Sequence, residues 1–182
     1  GHAIHDIDPI FKKFSKRKDL DNIAKAINIK SPKIIQSMYI FKQPRIGGEV
    51  DCHQDSTFLY TKPESVVGFW VALEDAIKEN GCIWTSRGGH KGPLRKIFKR
   101  KNNHMIMETL DKTPFKKMDT ALEVKKGTLI LLHGRLPHYS CENKSNSSRH
   151  AYTLHIIDGR CTYPKFNWLQ RTNNLPLQGF ID

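Results

Sequence analysis

The chain has 182 residues, 38% of them hydrophobic, and a formal net charge of +12. That length suits a single domain that can bury a sizeable core, and the apolar content argues against disorder. No apolar run is long enough to span a membrane as a helix, and the opening "GHAIHDIDPIFKKF" is too polar for a secretory signal, so neither a membrane-spanning helix nor classical export is expected.

In chain order, residues 6–29 read as helical. "DLDNIAKAINI" places Leu20, Ile23, Ala24 and Ile27 on one helical face, and Ser31 and Pro32 stop the pattern. The texture then changes to short β-type runs: "KIIQSMYIF", "EVDCHQDSTFLY", "SVVGFWVALED", "GCIWTS", "ALEV", "GTLILLH" and "RHAYTLHII". Gly, Pro, Asn, Asp or Ser clusters bound each run. Many short strands with little helix between them predict a mainly β sandwich or barrel with a flanking helical region. Residues 94–120 are polar and charged, and read as a long insertion between strands, of the kind that carries substrate contacts. The tail after Asp158 reads as an irregular wrap over the core. No linker-like stretch divides the chain, so residues 1–182 are expected to form one domain.

Part of the positive charge is local, in Lys91, Arg95, Lys96, Lys99, Arg100 and Lys101. Such a run is a solvated face or a contact surface for an anionic partner. With no interleaved aromatic residues and no nucleic-acid module signature, nucleic acid is disfavoured as that partner. Cys52, Cys82, Cys141 and Cys161 form no CxxC pair, which predicts free thiols in an intracellular, cytoplasmic setting.

The stretch "GGEVDCHQDSTFLY" places His53 and Asp55 with one residue between them. In a strand these side chains share a face, which suits a metal site, an acid/base pair or a plain surface strand. Two later histidines, His133 and His138, follow the apolar run of "GTLILLHGRLPHYS"; either could join a metal. Leu129 to Leu132 reads as a buried strand, and His133 at its end as a satisfied core group. Two histidines and one carboxylate form a facial triad that leaves positions open on iron(II). Arg149 opens the run "RHAYTLHII", where Arg149, Ala151, Thr153 and His155 would share a face. An arginine there is a planar clamp for a carboxylate or an ordinary surface residue. His90, His104 and His155 read as structural or exposed.

The segments "QSMYIFKQPRIGGEV", "HQDSTFLYTKPESVVGFWVALEDA", "ENGC", "HGRLPHYS" and "SSRHAYTLH" resemble the phytanoyl-CoA dioxygenase family over nearly the whole chain. The resemblance implies a double-stranded β-helix, jelly-roll or cupin-like, with flanking helices. It implies His53, Asp55 and His138 as iron(II) ligands, and 2-oxoglutarate and O2 as cosubstrates. Arg149 and Ser140 would hold the far carboxylate of 2-oxoglutarate; Trp70, Met38 and Gln36 would line its pocket. The implied activity is oxidative decarboxylation to succinate and CO2, coupled to hydroxylation of a small molecule such as an acyl-CoA or another anionic compound. Relatives carry a longer N-terminal part, with a lysine that helps hold the cosubstrate in some of them. A catalytically impaired binding module of the same fold is therefore the alternative expectation.

Overall fold

A computed structural model of the chain describes residues 3–180. It begins with helices α1 (Ile4–Ile7), α2 (Pro9–Ser15) and α3 (Lys18–Ala26). Strands β1 (Pro32–Ile40), β2 (Val50–His53), β3 (Val67–Ala72), β4 (Ile83–Thr85) and β5 (Lys96–Lys101) follow. Then come β6 (His104–Thr109), β7 (Thr120–Leu122), β8 (Leu129–His133), β9 (His138–Ser140) and β10 (Ala151–Asp158).

The helical region is broken where local chemistry starts a new helix. The Asp8 carboxylate accepts hydrogen bonds from the N–H groups of Ile10 and Phe11, and Pro9 takes the first helical position. At its far end, α3 stops before Ile27. Asn28 takes a left-handed φ of 69°, and the Ile29 N–H returns to the Ala24 carbonyl. Ile29 therefore packs inward, while Ile27 is exposed, contrary to the helical-face reading.

Two antiparallel four-stranded sheets form the body, ordered β1-β10-β3-β8 and β2-β9-β4-β7. The chain passes repeatedly from one sheet to the other, which is the winding of a double-stranded β-helix. Side-chain alternation then assigns the faces. On β10, Tyr152, Leu154 and Ile156 pack against Leu20, Ala24 and Ile29 of the helical layer. Burying Leu154 and Ile156, both 0% exposed, contributes about 1.5–3 kcal/mol each. Their neighbours Thr153 and His155 turn to the opposite, inner face and line a cavity.

A bulge in β1 re-aims that strand in the same way. The pairing with β10 shifts between Ile34 and Gln36. Ile34 belongs to the helix-side core, yet Met38 and Ile40, at even spacing from it, line the inner cavity. One extra residue is what flips a strand's faces. The odd positions now meet the helices: Ser37 Oγ contacts the His5 ring at 2.7 Å, and the Tyr39 and Phe11 rings meet edge to face.

Residues 94–120 are not a strandless insertion. β5 and β6 pair in a hairpin whose turn residues, Asn102 and Asn103, both have positive φ. Four residues of the basic run, Lys96, Lys99, Arg100 and Lys101, thus lie on a strand, with Lys91 and Arg95 ahead of it, and Lys99 pairs across the hairpin with Glu108. β8 is an edge strand, and Leu131 is exposed rather than buried. Among the described residues after Asp158 there is no helix or strand; Asn167 fastens the tail by donating to the Tyr60 carbonyl.

Candidate metal centre

His53 and Asp55 do not share a strand. β2 ends at His53, and Asp55 opens a 3-10 turn, Asp55–Thr57. The Asp55 carbonyl accepts from the N–H groups of Phe58 and Leu59, and the Ser56 N–H donates to the Gly134 carbonyl. Gly134 is needed here: a Cβ would lie 2.2 Å from Ser56 Oγ and 2.7 Å from the Val66 carbonyl oxygen. The loop before β9 thus clamps the turn that carries Asp55.

β9 pairs with β2 so that His138 lies directly opposite His53. The two rings are 4.4 Å apart at their centroids. Both Nε2 atoms approach one carboxylate oxygen: His53 at 3.5 Å and His138 at 3.7 Å from Asp55 Oδ1. One ligand atom from each of the three residues falls within a 4.8 Å group that could hold a metal ion. The Nδ1 atoms face backbone carbonyls, Asp51 at 2.7 Å and Leu136 at 3.0 Å. A carbonyl only accepts, so Nδ1 carries the hydrogen and the Nε2 lone pair is left for a metal. His133 stands apart: it is exposed rather than buried in the core, and its Nδ1 accepts from the Arg135 N–H.

Burial alone would raise the Asp55 carboxyl, but the His155 and His138 imidazoles and contacts with His155 and His53 hold it well below the usual carboxylate range. Burial lowers His53, and the Asp55 carboxylate, together with the carbonyl and carboxylate of Asp51, more than reverses this, leaving it raised. His138 stays lowered, because burial outweighs Asp55 there. The trio therefore offers an ionised oxygen and a buried neutral imidazole, which is a donor set suited to a borderline divalent ion.

A cavity of about 230 Å³ opens from this centre between the sheets. Arg149, Ser140, Trp70 and Met38 all line it, together with Thr153 and His155. Gln36 does not; it lines an adjoining cavity of about 340 Å³ with Phe58, Phe98 and Trp168. Arg149 is 1% exposed, and its Nε and Nη1 have no hydrogen-bond partner. Thr153 Oγ1 is likewise buried and unpartnered. Burial pulls the guanidinium down to about 10, so it stays charged at neutral pH. A buried cation with open donors beside a cavity fits a carboxylate-bearing ligand.

His155, which the sequence reads as structural or exposed, shares the Arg149 face that the strand pattern defines. It is buried, lines both cavities, and places Nε2 3.4 Å from Asp55 Oδ2. Among the described residues no helix is long and apolar enough to cross a membrane.

Comparison with known proteins gives consistent results. The phytanoyl-CoA dioxygenase family profile matches residues 1–151. Phytanoyl-CoA dioxygenase 1 of Oryza sativa subsp. japonica is 50% identical over 172 residues, which is 94% of this chain and 61% of the relative. Phytanoyl-CoA dioxygenase domain-containing protein 1 of Danio rerio is 44% identical over 182 residues, 97% of this chain and 62% of the relative. The chain thus spans about three-fifths of the length of these relatives. In structure it is similar to EctD from S. alaskensis with bound Fe: the TM-score is 0.71 at 19% identity, over 94% of this chain and 60% of that one. At that identity the likeness speaks for the fold alone.

Proposed function

This chain belongs to the phytanoyl-CoA dioxygenase family, and on that premise we propose that it is an iron(II)- and 2-oxoglutarate-dependent dioxygenase hydroxylating a small molecule. The observation that carries the reading is one cavity joining a His/Asp/His group to a buried arginine with unpartnered donors. His53, Asp55 and His138 would hold the metal. Arg149 would fix the far carboxylate of 2-oxoglutarate, with Ser140 as a second polar contact, and Trp70 and Met38 as walls. Bound iron with its cosubstrates would supply the oxidation, yielding succinate, CO2 and a hydroxylated product.

The protein's own part is positional. The carbonyls of Asp51 and Leu136 fix both imidazole tautomers. Trp70 covers one side of the Arg149 guanidinium. The two sheets keep Arg149 and Thr153 out of water, so a ligand carboxylate meets them in a medium where charge-assisted bonds are strong.

For the substrate we propose an anionic small molecule, for example an acyl-CoA. A third cavity of about 470 Å³ shares His53 with the centre and Phe58 with the adjoining cavity; Arg95, Lys96 and Lys112 line it with Asp51 and with Asp111, the ion-pair partner of Arg95, so Lys96 and Lys112 are the cations it offers an anion. The four cysteines are free, which supports a reducing, intracellular setting. Asp55→Ala should abolish iron-dependent succinate release from 2-oxoglutarate; undiminished release would sink the assignment.

A further inference from the structure

His155 is the buried imidazole left over by the three-residue group. It lies on β10, 4% exposed, opposite Gly68 of β3 and Gln36 of β1. The Asp55 carboxylate is divided between it and the others. Oδ1 faces His53 and His138, whereas Oδ2 faces His155 Nε2 at 3.4 Å. Oδ2 is buried and has no formed hydrogen bond, since 3.4 Å is long for N–H···O. A buried charged oxygen without a donor is costly, and His155 is the donor within reach.

We propose that His155 is a positioning residue: it donates Nε2–H to Asp55 Oδ2 and so holds Asp55 as a one-oxygen ligand. The inference rests on the metal-centre reading above. Its consequence is coordinative. A carboxylate free to offer both oxygens would occupy a further position on the metal, and an oxygenase of this type needs the positions opposite its three protein ligands kept open.

Gly68 gives the arrangement independent support. A Cβ at that position would lie 2.9 Å from Asp55 Oδ2 and 3.7 Å from His155 Cδ2. Gly68 is not among the positive-φ residues, so its backbone does not require glycine. What the missing side chain leaves room for is Asp55 Oδ2 itself, since Leu132 Cβ at 3.4 Å and the His155 ring at 3.7 Å would be in ordinary contact. At the next two inner positions of the same strand, Trp70 and Ala72 carry side chains into the core between the sheets.

The test is Co(II) binding to the intact chain, without cosubstrate, followed by calorimetry and by the visible d–d spectrum. His155→Phe should bind about 10- to 100-fold more weakly, as losses of such outer partners do, and with an altered spectrum. His155→Gln, whose amide N–H can reach the same oxygen, should recover most of the affinity and the wild-type spectrum. Gly68→Ala should weaken binding with His155 intact, by displacing Oδ2. Wild-type affinity and spectrum in a folded His155→Phe would overturn the proposal, as would equal losses in the Phe and Gln variants. If His155→Phe does not fold by circular dichroism, wild-type Co(II) binding in Gly68→Ala overturns it instead. Failure of the wild-type chain to bind Co(II) would be a different result, removing the metal-centre reading itself.

Discussion

The Arg149 guanidinium carbon lies 5.5 Å from the centre of the Trp70 ring, inside the space between the two sheets. The pairing of β10 with β3 produces this contact, because Thr153 registers with Trp70 and Arg149 sits just ahead of that strand. One side of the cation is spent on the indole. Its unpartnered donors are what remains for a ligand.

Arg149→Lys should therefore leave metal binding intact and weaken 2-oxoglutarate binding. Lysine keeps the charge but not the planar fork. Losing one charge-assisted hydrogen bond costs about 1.5–3 kcal/mol, or roughly 10- to 150-fold in affinity. Calorimetry with 2-oxoglutarate and the Mn(II)-loaded chain would read this, with Mn(II) affinity as the internal control.

Trp70→Leu should produce a smaller effect of the same kind. It removes the ring face but no donor, so the expected loss is about 0.5–2 kcal/mol of cosubstrate affinity. The same calorimetric titration checks it. A loss larger than that of Arg149→Lys would mean that Trp70 shapes the cavity more than it supports the cation.

Gly134→Ala should destabilise the fold and loosen the metal centre together. The added Cβ meets Ser56 Oγ at 2.2 Å and Val66 Cβ at 2.9 Å. Overpacking of this sort costs about 1–3 kcal/mol, which for a chain of this size lowers Tm by roughly 2–12 °C. Thermal melting and Co(II) affinity should fall in the same variant, because Ser56 adjoins Asp55 in the clamped turn.

Lys42 gives a pH signature. It is 1% exposed, and its Nζ donates to the Gly48 and Cys141 carbonyls at 2.6 Å each. Burial, with Arg149 nearby, lowers its pKa from 10.5 to about 8. Between those values the unfolded chain holds a proton that the folded chain has released. Stability therefore rises with pH across that window, by at most about 1.4 kcal/mol per pH unit, and the penalty of the buried charge is fully present below it. Denaturant unfolding from pH 8 to 10 should show this contribution in the wild type and lose it in Lys42→Met. The difference between the two removes other groups that titrate there.

Much of this was legible in the sequence. The apolar runs of β3 and β10 mark central strands, and the family resemblance points to His53, Asp55, His138 and Arg149, which the fold brings to one cavity. What escaped depends on distant partners. "HQDSTFLY" has strand-like residues, but the Gly134 carbonyl, far along the chain, captures the Ser56 N–H and bends the segment into a turn. The β5–β6 hairpin was hidden by its charge, although Asn102 and Asn103 between two runs of equal length are a hairpin signal. His155 was within reach of the alternation rule and needed only a reason to look inward. That reason is Asp55 Oδ2, which no spacing along β10 reveals.

The central claim is that one cavity holds both a three-ligand metal centre and a clamp for a 2-oxo acid. The most direct measurement is the visible spectrum of the anaerobic chain with iron(II) and 2-oxoglutarate. A metal-to-ligand charge-transfer band should appear in the wild type, vanish in Asp55→Ala, and need a higher 2-oxoglutarate concentration in Arg149→Lys. A folded wild-type chain that shows no such band with iron and 2-oxoglutarate in excess would contradict the account.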